Sequence, residues 1–150
     1  MLKMVTGWIV RDFEMAITVS RIPNEPIIVA TLDGDINAEQ FKEMFIRSAE
    51  ITKEIGGHVC RITDARNVGV SFGELFGIIA AASKGVPGST TDPNVTAILL
   101  GNNQMVKLAA QAFRQKQFGG LQIPLFQRME DALEYVYLEL AGQTLRRTGS

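Results

Sequence analysis

Residues 61–85, RITDARNVGVSFGELFGIIAAASKG, constrain the fold more than any other stretch of the chain. A β-branched, apolar strand over 59–63 ends in Asp64, a short loop over 66–70 follows, and Ser71 opens a nearly all-apolar helix over 72–84. Glu74 stands three residues after Ser71, the spacing of a capping box, in which hydroxyl and carboxylate each accept a bond from an orphan backbone N–H. Gly73, Gly77, Ala81 and Gly85 follow at i+4 spacing, so one stripe of the helix has almost no side chain. A Gly inside a helix costs roughly 1 kcal/mol against Ala. That cost suggests close approach by another backbone, a partner or a ligand.

The flanking sequence places this strand–helix unit in a larger sheet. Residues 4–13 and 15–22 are rich in β-branched and aromatic residues, and 27–32 (IIVATL) follows the turn Pro23-Asn24-Glu25-Pro26, so the first third reads as antiparallel strands. Asp33-Gly34-Asp35 closes that strand. Asn37, with Gln40 three residues on, caps a helix over Ala38–Ile55 that keeps Phe41, Met44, Phe45, Ile51 and Ile55 on one face, and Gly56-Gly57 ends it. Later come a fully apolar strand over 95–100 and a helix over 104–117. A strand over 121–126 follows, whose Pro124 argues for an edge, and then an amphipathic helix over 129–140. Residues 141–150 lack apolar periodicity and are expected to fray. The expectation is an α/β domain over 1–140: a mixed sheet of five to six strands with an N-terminal antiparallel hairpin, residues 1–14 adding an extra strand, then βα units with right-handed crossovers.

Composition narrows the function classes. With 150 residues the chain fits one domain, and a net charge of −1 gives no general attraction to nucleic acid or an anionic membrane. The single cysteine, Cys60, excludes an internal disulfide and reads as a buried structural thiol in a reducing, cytoplasmic setting. No apolar run approaches the roughly 20 residues of a membrane span.

The order of elements, with the capped helix at its centre, resembles the STAS superfamily, and within it the branch similar to the bacterial sporulation anti-sigma factor antagonist. The residues that carry the resemblance are 27–35 (IIVATLDGD), Ile62-Thr63-Asp64, 70–75, 95–101 (VTAILLG), Phe118-Gly119-Gly120, 123–126 (IPLF) and 129–135 (MEDALEY). It implies helices mainly on one face of the sheet and a phosphorylation-controlled partner of kinases and sigma-factor regulators. In that family a phosphorylatable serine stands at the N-terminus of the central helix. Here the family's Asp-Ser pair falls on Ser71-Phe72 with one residue fewer in the loop, so Phe72 occupies the serine's place and Ser71 is its neighbour.

Catalytic raw material is thin. His58 is the only histidine, and no Cys/His/carboxylate spacing forms a metal set. An enzyme would need His58, Asp64 and Ser71 to converge. Asp64 at a strand end either joins a site or anchors its loop by accepting backbone N–H bonds. Ser71 is a helix cap, or else a phosphoacceptor that Arg66 and Lys84 would reach only if the fold brings them near. No phosphate-binding glycine motif is present, so no cofactor is expected. Lys107, Arg114 and Lys116 make a small basic patch that reads as a solvated face.

The leading expectation is therefore a non-enzymatic interaction module acting through loop 66–70 and helix 71–84. Its surface comprises Asp64, Arg66, Ser71, Phe72, Gly73, Phe76 and Gly77, with a protein partner or a second copy as occupant. The alternative is a binder of a small apolar molecule or lipid, which would need a pocket between 72–82 and 104–117.

Overall fold

The computed structural model describes residues 16–149, and the expected strand over 4–13 lies outside them. Strands β1 (Ile17–Arg21) and β2 (Ile27–Asp35) form an antiparallel hairpin. Its turn places Asn24 at φ 65°, a left-handed conformation that asparagine tolerates better than most residues. Three parallel strands complete the sheet: β3 (Val59–Gly69), β4 (Val95–Leu100) and β5 (Leu125–Phe126), in the order β1-β2-β3-β4-β5. Helices α1 (Ala38–Ile55), α2 (Phe72–Ala82), α3 (Gln104–Phe113) and α4 (Met129–Gly149) connect and follow them. The mixed sheet with an N-terminal hairpin and successive βα units is the architecture expected from the sequence.

Caps set the helix starts. The reciprocal capping box forms at α1, where Asn37 Oδ1 accepts from the Gln40 N–H at 2.9 Å and Gln40 Oε1 accepts from the Asn37 N–H at 2.8 Å. At α2 the serine half is formed, with Ser71 Oγ accepting from the Glu74 N–H at 3.1 Å. Asn103 caps α3 in the same way and also donates to the Ala65 carbonyl, joining that helix start to β3.

Several boundaries differ from expectation. The loop expected over 66–70 is strand as far as Gly69: past a register shift between Thr31 and Asp33, the polar end of β2 pairs Asp33, Gly34 and Asp35 with Asn67, Val68 and Gly69. Asp33-Gly34-Asp35 therefore extends β2 rather than closing it. A Cβ at Gly69 would stand 2.6 Å from the exposed Asp35 carboxylate, which would have to swing aside. The strand expected over 121–126 pairs only at Leu125 and Phe126, because Pro124 has no N–H to offer and contributes its carbonyl to Leu99 instead. The α3 helix ends at Phe113, and a 3₁₀ turn (Lys116–Phe118) takes up the rest of the expected helix. Residues 141–149, expected to fray, continue α4 as helix beyond the end of its apolar stripe.

Alternation along the strands divides the interior in two. Ala30, Leu32 and Ala65 face α1, α2 and α3, which cover one side with Met44, Phe45, Leu75, Ile79, Val106 and Phe113. Ile27, Cys60, Ile62, Ile98 and Leu100 face the other side, where α4 seats Ala132 and Val136. Burial pushes the Cys60 thiol up to about 11, the behaviour of a structural rather than a reactive cysteine. Among the described residues no helix is long and apolar enough to cross a membrane.

Candidate functional site

Of the residues singled out in the sequence, Ser71, Phe72, Gly73, Phe76 and Gly77 stand together at the start of α2, whereas Asp64 and Arg66 pair with each other earlier, on β3. Asp64 is nearly buried and lies on the α4 side of β3. It accepts from Arg66 three times, from the backbone N–H at 3.2 Å, from Nε at 3.0 Å and from Nη2 at 2.8 Å. These bonds hold its carboxyl below the usual carboxylate range. Asp64 is thus an anchor, and its partner is the exposed Arg66.

Ser71 is exposed at the start of α2, in a surface depression lined by Asp35, Ile36, Asn37, Gln40, Gly69, Val70 and Glu74. Two of those residues are carboxylates and none is cationic. Lys84 cannot reach it: thirteen residues separate the two along α2 and the turn after it, about 20 Å at 1.5 Å per residue. Arg66 is occupied by Asp64. A phosphate on Ser71 would therefore meet the α2 dipole favourably and the two carboxylates unfavourably.

Beside Ser71 stand two large aromatic residues in solvent. Phe72 and Phe76 are 56% and 55% exposed, and their rings pack edge to face with centroids 4.9 Å apart. The glycine stripe is mostly open rather than clasped. A Cβ at Gly73 or Gly85 would meet nothing within 4 Å, and one at Gly77 would touch only the Ala38 Cβ at 3.6 Å. Ala81 alone in the series is buried. The glycines lower the surface around the two phenylalanines and leave the rings standing above it.

His58 lies elsewhere. It precedes β3, bonds Thr96 Oγ1 through Nε2 at 2.7 Å, and sits six residues from Asp64, about 20 Å along a strand. The His58–Asp64–Ser71 convergence that catalysis would require does not form. No group of three or more metal-ligating side chains occurs among the described residues. Of the basic patch, Lys107 and Arg114 line one depression with Tyr135, and Lys116 stands in the 3₁₀ turn.

Two features escaped the sequence reading. The first is Arg61, fully buried in the middle of β3 on the α1 side. It donates to the Gly88 carbonyl through Nη1 and to Thr90 Oγ1 through Nη2 at 3.5 Å, and its guanidinium lies 5.6 Å from the Phe45 ring centre. Its Nε has no partner. Burial lowers its pKa to about 10 against the opposing pull of Asp92. Asp92 in turn accepts from the N–H groups of Gly88 and Asn94, so this pair organises the turn-rich loop over 85–94. Gly88, at φ +82°, is required: a Cβ would lie 2.0 Å from the Phe45 carbonyl oxygen. The second feature is the detailed lining of an apolar cavity of about 70 Å³ between sheet and helices. It runs among Met44, Leu75, Ile79, Ala97, Leu99, Met105 and Ala109, with Thr63 and Thr90 as its polar members. Its place between α2 and α3 is where a ligand pocket was expected.

No protein-family model matches the chain, and no curated protein matches it in sequence. Solved structures do match in fold. The structure of the anti-sigma factor antagonist SpoIIAA in its unphosphorylated form aligns with TM-score 0.55 at 16% identity, over 81% of this chain and 96% of that one. An uncharacterised protein of the DUF3478 family with a SpoIIAA-like fold, from Shewanella loihica PV-4, aligns with TM-score 0.53 at 15% identity, over 81% and 92%. A putative anti-sigma factor antagonist from Thermotoga maritima aligns with TM-score 0.53 at 10% identity, over 82% and 96%. The chain has the SpoIIAA-like, STAS-type fold that its element order resembles.

Proposed function

We propose that the chain is a regulatory, non-enzymatic interaction module that binds a protein partner through the edge formed by Arg66, Ser71, Phe72, Gly73, Phe76 and Gly77, with Asp64 fixing Arg66 in place. The carrying observation is the solvent-exposed Phe72–Phe76 pair beside a capped helix start. Two adjacent aromatics at more than half exposure supply the anchor type that dominates protein interfaces. Similarity in fold to anti-sigma factor antagonists supports the regulatory reading. Phosphate on Ser71 would place about −2 of charge beside Asp35 and Glu74, so modification acts by repelling a partner rather than by ordering a cationic cradle.

Crosslinking and mass spectrometry in cells tests this. The expected result is a partner captured by the wild-type chain, lost with Phe72→Ser/Phe76→Ser and weakened by Ser71→Asp, with thermal stability of the double variant kept. Capture that the double variant leaves intact would overturn it.

A second reading, a binder of a small apolar molecule, is favoured by the cavity between α2 and α3. At about 70 Å³ it falls well below the roughly 300–1,000 Å³ of sites that enclose drug-sized ligands. Met44 and Met105 in its wall are the side chains most able to yield. Delipidated protein that shows no thermal shift across a panel of fatty acids and phospholipids would count against this reading.

A further inference from the structure

A second surface lies at the opposite end of α2 from Ser71. Between α1 and the C-terminal end of α2 runs an apolar groove of about 600 Å³, lined by Phe45, Ile46, Ala49, Ala81, Val86 and Pro87. Ile46 and Val86, 53% and 44% exposed, form its raised walls, and the two alanines its floor. Along α1 it extends from Lys42 to Lys53, eleven residues or about 16 Å, the length of three helical turns. Alanines at the floor let another backbone approach closely.

The rim carries the information about the occupant. Lys42, Lys53 and Lys84 surround the groove against one carboxylate, Glu50, so three positive charges less one negative leave +2 on a chain whose formal charge is −1. Lys42 is shared with Glu39 at 3.3 Å, whereas Lys53 and Lys84 form no ion pair among the described residues. An apolar trough three turns long between cationic walls fits an amphipathic helix that presents apolar residues at i, i+3 or i+4 and i+7 with carboxylates on both flanks. A second copy of this chain fits poorly, because a two-fold interface sets the groove against itself and brings lysines to lysines. A membrane surface fits poorly too, because the apolar residues lie in a concavity.

We infer that the groove between α1 and the end of α2 is a docking site for an acidic amphipathic helix of another protein. The inference does not rest on the Ser71 edge, and either surface can be disproved without the other.

The test uses the full chain and a displayed library of helical peptides about 14 residues long, with Leu fixed at three positions of one face and every other position random. Enrichment of Asp and Glu beside the Leu stripe is expected. Selected peptides, measured by fluorescence anisotropy, should lose at least about tenfold in affinity against Ile46→Glu, and about tenfold against Lys53→Glu/Lys84→Glu at low salt with a smaller difference at high salt. Both variants alter exposed residues, and circular dichroism should show the fold retained; Phe72→Ser/Phe76→Ser should leave peptide binding unchanged. Any of these results would overturn the inference: no enrichment, enrichment of basic peptides, selected peptides that bind Ile46→Glu equally well, or a dimer in sedimentation velocity that Ile46→Glu dissociates. Lysine-dependent flotation with phosphatidylglycerol vesicles in place of peptide binding would assign the groove to lipid and overturn it as well.

Discussion

The two faces of the sheet are built to different standards. Against α4, Ile27, Cys60, Ile62, Ile98, Leu100, Ala132 and Val136 all reach 0% exposure, with no charged side chain among them. Against α1, α2 and α3 the interior holds a cavity, a fully buried arginine and two buried polar atoms without partners, Ser48 Oγ and Arg61 Nε. Both proposed binding surfaces lie on the helices of this second layer. The contrast separates a layer filled without polar side chains from one whose packing leaves space and unpartnered polar atoms.

Substitutions of opposite kind on adjacent residues of β4 should expose this contrast most strongly. Ile98 points at α4, and Ile98→Ala should cost about 3–4 kcal/mol, because a tightly filled site collapses poorly around the space left. Ala97 points into the cavity on the other face. Ala97→Val should be neutral or stabilising by up to about 1 kcal/mol, because its methyl groups enter existing space and suit a strand. Urea unfolding of both variants measures the difference. Equal losses at the two positions would mean that the faces are packed alike.

Arg61 allows a finer comparison within the looser face. Arg61→Ala removes the donors to Gly88 and Thr90 and leaves a void, for an expected cost of about 3 kcal/mol. Arg61→Met keeps most of the volume and discards a desolvated charge, so it should cost about 2 kcal/mol less than alanine. Hydrogen exchange across 85–94 should accelerate in both, since the guanidinium ties that loop to β3. Loss of stability without faster exchange in the loop would show that Arg61 acts by filling space alone.

The elements readable in the sequence are those governed by local chemistry. Asn37, Ser71 and the apolar stripe of α1 signalled their helices because capping bonds and the 3.6-residue period are set within a few residues. The polar end of β2 did not reveal its strand, because Asp33-Gly34-Asp35 is extended only through pairing with residues over thirty positions away. Arg61 reads in the sequence only as one residue of the strand over 59–63; its burial depends on Gly88 and Asp92 arriving from a loop beyond α2. The residues at the Ser71 edge, Phe72 and Phe76 included, were legible as a group because they lie close together in sequence, whereas contacts between distant segments were not. The groove on α1 was illegible for the same reason: Lys84, Val86 and Pro87 join Lys42 and Ile46 only in the folded chain.

The smallest expected effect tests the edge where the well-packed face meets solvent. Asp64 continues the Cys60–Ile62 side of β3, and its carboxyl is held below its ordinary value first by the Arg66 side-chain bonds. A carboxyl with a lowered folded pKa contributes stability that is complete above its unfolded value, near 3.8, and is withdrawn as pH falls through the folded one. Because Arg66 is exposed, the contribution at neutral pH should be no more than about 1 kcal/mol, and it should shrink in high salt. Asp64→Asn should therefore unfold slightly more easily than wild type at pH 7, and the two curves should converge as pH falls below 4. An undiminished gap at pH 2, where the carboxyl is neutral, would show that the asparagine side chain is disfavoured there through its shape or its amide N–H groups, and that the ion pair contributes nothing to holding the β3–α2 edge.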